Sequence, residues 1–96
     1  MVFYLQHVGY PMAERRALSG ALDRGDISGV PRTMIEVKSC KTWQLSAWMK
    51  EVEVERRNAD ADIGLLVVRR KGFINPGDWY AIMPFAEALN LIGPPS

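Results

Sequence analysis

The segment Thr33–Lys38 alternates between apolar and polar positions, as a half-buried β-strand does. Ile35 and Val37 fall on one side of this predicted strand and Glu36 and Lys38 on the other, because successive side chains of a strand point to opposite faces. The sequence therefore predicts a strand with one apolar face and one face that carries a carboxylate and an ammonium group.

Two shorter extended segments precede this strand. Residues 12–18 are typical of an edge strand, residues 19–25 of a connection containing Gly and Asp, and residues 26–30 of a short extended piece. A turn at Pro31 then leads into the next strand. We expect the three strands to form an antiparallel meander.

A helix of about four turns is predicted after the meander, because apolar residues recur there at i, i+3, i+4 and i+7. These residues are Leu45, Trp48, Met49 and Val52. Thr42 is a suitable N-cap for this helix. The acidic residues Glu51, Glu53 and Glu55 are assigned to its solvated face.

The second half of the chain contains a strand with no polar alternation. Residues 63–68 are almost entirely apolar, which is typical of a strand covered on both faces. The order of strand, helix and buried strand is that of a βαβ unit, so this strand should lie parallel to residues 33–38. A turn at 75–78, a strand at 79–83 and a short helix that opens at Pro84 complete the chain.

Composition narrows the class of protein. Hydrophobic residues make up 48% and charged residues 24% of the 96 positions, as in ordinary globular proteins. This length fits one domain spanning 1–96. We expect an α/β fold with a mixed sheet flanked by helices, in which residues 2–8 are the end of an N-terminal helix.

No apolar run approaches the ~20 residues that cross a bilayer, and the N-terminus does not resemble a secretory signal, so we expect a cytoplasmic protein. The single cysteine, Cys40, excludes an internal disulfide, and with one histidine it excludes a Cys/His zinc cage.

The net charge of +1 conceals a basic excess in the first fifty residues and an acidic excess in the rest. Basic side chains cluster at Arg15–Arg16 and at Arg69–Lys71. Such clusters are either solvated strand ends or a surface that binds phosphate.

Three side chains are candidates for chemistry. Glu36 and Lys38 share a strand face, and Asp26 precedes Glu36 by ten residues across the turn, a separation that lets a hairpin bring the two acids together. Two carboxylates and a backbone carbonyl, here that of Val37, suit Mg²⁺. A neighbouring lysine can orient or help deprotonate an attacking water and can offset charge on a phosphate. The alternative is that Glu36 and Lys38 form an ordinary surface pair.

The tetrapeptides at 24–27 (RGDI) and 35–38 (IEVK), followed by the helix with Trp48 and the strand with Leu65, resemble the PD-(D/E)XK nuclease superfamily. Within it, the chain is similar to the small Holliday junction resolvase-like endonucleases of actinobacterial phages and prophages, over about residues 9–92. The resemblance implies a restriction-endonuclease-like core, αβββαβ. It also implies a metal-dependent DNA endonuclease that hydrolyses phosphodiester bonds in Holliday junctions or other branched DNA.

Carried over by position, the resemblance implies catalytic roles for Asp26, Glu36 and Lys38. It implies that Mg²⁺ or Mn²⁺ is held by Asp26, Glu36 and the backbone carbonyl of Val37, with no organic cofactor and no membrane partner. A homodimer is expected, because a four-way junction has two-fold symmetry and symmetric nicks need two sites.

Cationic side chains on the elements that flank the site are predicted to hold the DNA phosphate backbone. They are Arg15, Arg16, Arg24, Arg69, Arg70 and Lys71.

The chain departs from the superfamily pattern in two ways. Gly25 stands in place of the proline in the superfamily's name, and no acid precedes Glu14, although resolvases of this fold tend to carry one on an N-terminal helix. The N-terminal helix is therefore interpreted as truncated. The second hypothesis is a non-catalytic nuclease-fold module that binds DNA or another protein.

Overall fold

The computed structural model describes residues 1–16 and 25–94. Its elements, in chain order, are α1 Val2–His7, β1 Glu14–Arg15, β2 Ile27–Ser28, β3 Thr33–Lys38, α2 Leu45–Asn58, β4 Ile63–Val68, β5 Tyr80–Ile82 and α3 Phe85–Ile92, with a 3₁₀ turn at Pro76–Asp78. Arg24, most of the predicted connection at 19–25 and the end of the predicted strand at 12–18 lie outside the described residues.

The strands form one five-stranded mixed sheet in the order β1-β2-β3-β4-β5. The first three strands are antiparallel neighbours, and β5 is antiparallel to β4. Strands β3 and β4 run parallel, from Thr33 opposite Ile63 to Lys38 opposite Val68. The structure is thus α/β, and the predicted meander and the parallel β3–β4 pair are confirmed.

Helix α2 covers one face of the sheet. Trp48 and Val52 pack against the fully buried side chains of Met34, Leu66 and Val68. The predicted apolar stripe of this helix is confirmed at Trp48 and Val52, because both side chains belong to the core.

The predicted start of α2 is wrong. The helix begins at Leu45 with Gln44 at the N-cap position and no capping side chain, so Thr42 is not its N-cap. Trp43 packs against Trp48 and Tyr80, with ring centroids 6.2 and 5.5 Å apart. This aromatic contact keeps residue 43 outside the helix, and the helix therefore starts later than its local sequence predicts. Leu45, the first residue of the helix, is exposed, so the predicted stripe is not buried at this position.

Helix α1 lies on the opposite face of the sheet. Leu5 joins a cluster with Ala13, Ile27, Ile35 and Val67. Odd-numbered residues of β3 therefore face α1 and even-numbered residues face α2, as the alternation predicts. Among the described residues, no helix is long and apolar enough to cross a membrane.

Helix α3 ends before Gly93, as predicted, and none of its residues is buried. Phe85 and Ile92, at its two ends, are 77% and 80% exposed. The apolar surface of this helix is thus open to contact by another molecule.

Candidate active site

The register of β2 and β3 brings the two candidate acids together. Ile27 lies opposite Ile35, and the N–H of Asp26, directly before β2, donates to the same Ile35 carbonyl at 3.0 Å. This backbone contact holds Asp26 beside β3 at the residue before Glu36. The hairpin predicted from the ten-residue spacing therefore brings the two acids together, and their side chains hydrogen-bond one another.

The carboxylate of Asp26 is held by the backbone of β3. Its Oδ2 accepts a hydrogen bond from the Val37 N–H at 2.9 Å. Because the N–H and C=O of one strand residue point to the same strand edge, the Val37 carbonyl faces the Asp26 side as well. All three oxygen donors proposed for a metal thus belong to the β2–β3 hairpin.

Glu36 is buried beneath α2, with only 7% of its surface exposed. Burial, hydrogen bonds with Glu55 and Asp26, and the charges of these two acids raise the pKa of Glu36 to about 10. The carboxyl group therefore carries a proton at neutral pH. Glu36 is thus a buried acid that hydrogen-bonds two other acids. A nearby cation would stabilise the charged forms of such a cluster.

Glu55 corrects the sequence interpretation of α2. The sequence predicts Glu55 on the solvated face of the helix, but its side chain is only 4% exposed and hydrogen-bonds Glu36. A sequence signal exists, because Glu55 lies three residues after Val52 and seven after Trp48 and so continues the apolar stripe toward the sheet. Sequence reasoning missed this acid because charged residues are normally assigned to solvent.

Lys38 lies on the same strand face as Glu36 and is held by α2. Its Nζ donates to Oε2 of Glu51 at 3.0 Å and lies 5.8 Å from the centroid of the Trp48 ring. The hydrogen bond that Lys38 donates to Glu51, and the charges of Glu51, Glu36 and Glu55, raise the pKa of Lys38. Lys38 is therefore a cation at neutral pH. After Glu55, Glu51 is the second acid of α2 that belongs to the site, although the sequence predicts it only as a residue of the helix surface.

Two of the predicted DNA-binding arginines lie near Asp26: Arg15 ends β1, and Arg16 follows it. The Arg16 N–H donates to the Asp26 carbonyl at 2.8 Å, and within the described residues Nε of Arg16 is buried without a hydrogen-bond partner. Arg15 lines an open cleft of ≈ 420 Å³ together with Asp26 and Val37. The structure thus places Arg15 in a cleft with Asp26, and it joins Arg16 to Asp26 through the backbone.

The other predicted cations separate into two groups. Arg69 and Lys71 line a second cleft beyond the end of β3. Arg70 instead lies on Phe73, with 3.7 Å between its Cζ and the ring centroid, and also approaches Tyr80. Arg24 is outside the described residues.

The donor set of the site fits a hard divalent cation. Across residues 1–16 and 25–94, no group of three or more His, Cys, Asp and Glu side chains is arranged to hold a metal ion. The candidate ligands are therefore two carboxylates, Asp26 and Glu36, and the Val37 carbonyl. Mg²⁺ commonly takes one or two carboxylates and keeps several waters, so this smaller set suits it.

Comparison with known proteins adds no family assignment. No family model, no curated protein and no solved structure matches this chain. The function is therefore argued from the geometry of the site.

Proposed function

We propose that this protein is a metal-dependent DNA endonuclease that hydrolyses phosphodiester bonds and selects Holliday junctions or other branched DNA. One observation carries the proposal. The carboxyl groups of Asp26 and Glu36 hydrogen-bond one another, and the ammonium group of Lys38 is close enough to interact with Glu36. Two acids and a lysine that meet beside a central strand are residue types suited to metal-dependent hydrolysis of a phosphodiester.

The order of elements supports a restriction-endonuclease-like core. A helix, a three-stranded meander, a helix and a parallel strand follow one another as α1, β1–β3, α2 and β4. Asp26 precedes the second strand of this order directly, and Glu36 and Lys38 lie on the third. These are the positions of the motif residues in the PD-(D/E)XK superfamily that the sequence resembles.

Asp26, Glu36 and the Val37 carbonyl would hold Mg²⁺ or Mn²⁺. When bound, such an ion lowers the pKa of water and stabilises negative charge on a phosphate. The hydrogen bond from the Val37 N–H keeps the Asp26 carboxylate oriented toward β3. Glu36 has to release its proton to act as a ligand, because metal ligands bind in their deprotonated form.

Lys38 acts as a positive charge in this scheme. Its pKa is raised by Glu51, so it does not serve as a base at neutral pH. It donates hydrogen bonds to a water or to a phosphate oxygen, which orients the nucleophile and offsets charge in the transition state. Trp48 and Glu51 position its ammonium group.

Arg15 and Arg16 supply contacts to the DNA backbone near Asp26. Such phosphate contacts position DNA without reading its sequence, which suits an enzyme that selects a branched shape. Binding should weaken steeply as salt rises, because each phosphate contact releases counterions.

We also propose that the enzyme acts as a homodimer in the cytoplasm. A four-way junction has two-fold symmetry, so two copies related by a two-fold axis present two sites. The exposed apolar side chains Phe85 and Ile92 of α3 provide surface for such a contact. Sedimentation equilibrium should give twice the monomer mass.

A nicking assay on a labelled four-way junction with Mg²⁺ tests the proposal. The parent should nick the junction, whereas Glu36→Ala and Lys38→Ala should lose at least about 100-fold in rate, as expected for groups that stabilise transition-state charge. Glu14→Gln, which removes one exposed acid from the edge strand, is the matched control and should retain activity. Cleavage by all variants alike, or by none including the parent, would contradict the proposal.

A second candidate function is a non-catalytic nuclease-fold module that binds DNA or a protein. The absence of a three-residue metal group within the described part of the chain favours this alternative. Calorimetric titration with Mn²⁺ separates the two functions, because only the enzyme requires an ion site that Asp26→Asn destroys.

A further inference from the structure

A basic cleft lies at the ends of β3 and β4, beside the candidate active site. Its volume is ≈ 310 Å³, and its lining residues are Ser39, Cys40, Lys41, Arg69, Lys71 and Gly72. The Arg69 N–H donates to the Lys38 carbonyl at 2.9 Å, so the two walls of the cleft are joined by the sheet. Three cations and no acid line it, which makes it a concave surface of one charge sign.

The cations of this cleft are not neutralised within the part of the chain that the structure describes. None of Lys41, Arg69 and Lys71 takes part in an ion pair there. The guanidinium of Arg69 instead lies 5.8 Å from the centroid of the Trp79 ring, a contact that holds the group without cancelling its charge. Unneutralised Arg and Lys groups in a concave site favour an anion rich in oxygen acceptors, such as a phosphate.

Ser39 connects this cleft to the candidate active site. It lines the basic cleft and also the cleft that contains Asp26 and Val37. A polyanionic chain that crosses Asp26 can therefore continue over Ser39 and place its next phosphate among the cations.

We propose that the basic cleft binds the phosphate backbone of the DNA strand that is cut, next to the scissile phosphate. This proposal rests on the proposed function and deepens it, since it gives the cut strand a path from Asp26 past Ser39. Lys41 becomes a DNA-binding residue that sequence analysis did not select. Arg70 is not part of this site, because its guanidinium packs on Phe73.

Binding measured without metal tests the charge of the cleft. The variant Lys41→Ala/Lys71→Ala is compared with Lys50→Ala/Arg57→Ala, which removes the same charge from exposed positions of α2. Fluorescence anisotropy with a labelled junction in EDTA measures the affinity for DNA as a function of salt concentration.

Loss of two phosphate contacts should reduce the slope of log affinity against log salt by about 2. The ratio of the parent's affinity for DNA to that of the cleft variant should then fall about tenfold between roughly 50 and 200 mM NaCl. The control should keep the parent slope, and equal slopes for the parent and both variants would overturn the proposal.

Cys40 provides a second readout inside the cleft. It is the only cysteine of the chain and is exposed, so iodoacetamide reports on this position alone. Saturating DNA should slow its alkylation at least about fivefold, as occlusion of a contact site does, whereas millimolar inorganic phosphate should not. In Cys40→Ser/Val54→Cys, which moves the thiol to the outer surface of α2, DNA should not change the rate. Equal protection by free phosphate would assign the cleft to a small anion and overturn the proposal.

The same preparations separate failure of this site from failure of the nuclease. DNA that binds and protects Cys40 but is never cut would support a DNA phosphate site in the cleft, and would overturn the nuclease together with the assignment of the bound strand as the cut one. DNA that is cut while Cys40 stays unprotected and the salt slope of the cleft variant is unchanged would overturn the phosphate site alone. A parent that binds no DNA would overturn both.

Discussion

The buried carboxyl group of Glu36 predicts how the stability of the fold depends on pH. Burial, followed by the contacts with Glu55 and Asp26, raises the pKa of Glu36 from 4.5 to about 10. Between these two values the folded chain holds a proton that the unfolded chain has lost. The free energy of unfolding therefore falls as pH rises through this window and is highest below it.

The variant Glu36→Gln isolates this effect, because an amide of similar shape stays neutral and can still donate to Asp26 and Glu55. One proton corresponds to about 1.4 kcal/mol per pH unit. At pH 7, 2.5 units above the pKa of 4.5 in the unfolded chain, keeping Glu36 protonated costs about 3 kcal/mol. Glu36→Gln should thus be more stable than the parent by up to about 3 kcal/mol at pH 7, which for a domain of this size is well over 10 °C in Tm.

Urea unfolding followed by tryptophan fluorescence, in EDTA and at several pH values from 5 to 9, measures this difference. The gap between Glu36→Gln and the parent should widen by about 1.4 kcal/mol for each pH unit and vanish near pH 4.5. Glu14→Gln removes an exposed carboxylate and should follow the pH profile of the parent. Parallel profiles for Glu36→Gln and the parent would show that Glu36 is not protonated in the fold, and would refute the reasoning.

Two further predictions concern the hairpin and the lysine. Gly29→Ala should lower the free energy of unfolding by clearly more than Gly72→Ala. Both glycines have a positive φ, +90° at Gly29 and +85° at Gly72. An added Cβ at Gly29 would collide with the Met12 carbonyl, whereas an added Cβ at Gly72 would meet open space. Gly72→Ala carries backbone strain alone, about 1 kcal/mol, and equal losses in thermal denaturation would contradict this argument. Glu51→Gln should lower the pKa of Lys38, because it removes the largest cause of the upward shift. A ¹⁵N NMR titration of the Lys38 ammonium group measures this pKa. An unchanged pKa would mean that a group other than Glu51 raises it.

Local patterns predict the two central strands to the residue. Thr33–Lys38 alternates with period two, and Ile63–Val68 is an apolar run bounded by polar residues, and both are observed with these limits. The first two strands, β1 and β2, are only two residues long. Their sequence allows longer extended segments, but pairing with a neighbour sets the length of a strand, and pairing is not encoded locally.

The candidate site was predictable only where it lies within one hairpin. The ten-residue separation of Asp26 and Glu36 and the shared face of Glu36 and Lys38 follow from strand geometry. The burial of Glu55 against Glu36 does not, because it joins residues of different elements and requires an acid to be held neutral. Propensity rules place such a residue in solvent, and tertiary contacts override them here.

The start of α2 and the packing of Arg70 could not be predicted from the local sequence, and the reason is similar. Thr42 has the chemistry of an N-cap, but the packing of Trp43 on Tyr80 delays the helix. Arg70 belongs to a basic run in the sequence, yet its guanidinium covers Phe73 instead of facing the cleft with Lys71. In both cases a contact with an aromatic side chain, which a local pattern does not show, accompanies the difference.

Calorimetric titration tests most directly whether Asp26 and Glu36 form a metal site. The parent is titrated with Mn²⁺ at pH 7.5 in two buffers of different ionisation enthalpy. Glu36 must give up its proton to bind the ion. The heat should therefore differ between the buffers by the equivalent of about one proton released per ion bound. Asp26→Asn should abolish binding, and Asp60→Asn, an exposed acid just after α2, should leave it intact. Binding without proton release, equal binding by Asp26→Asn, or no binding by the parent would contradict a metal site formed by Asp26 and Glu36.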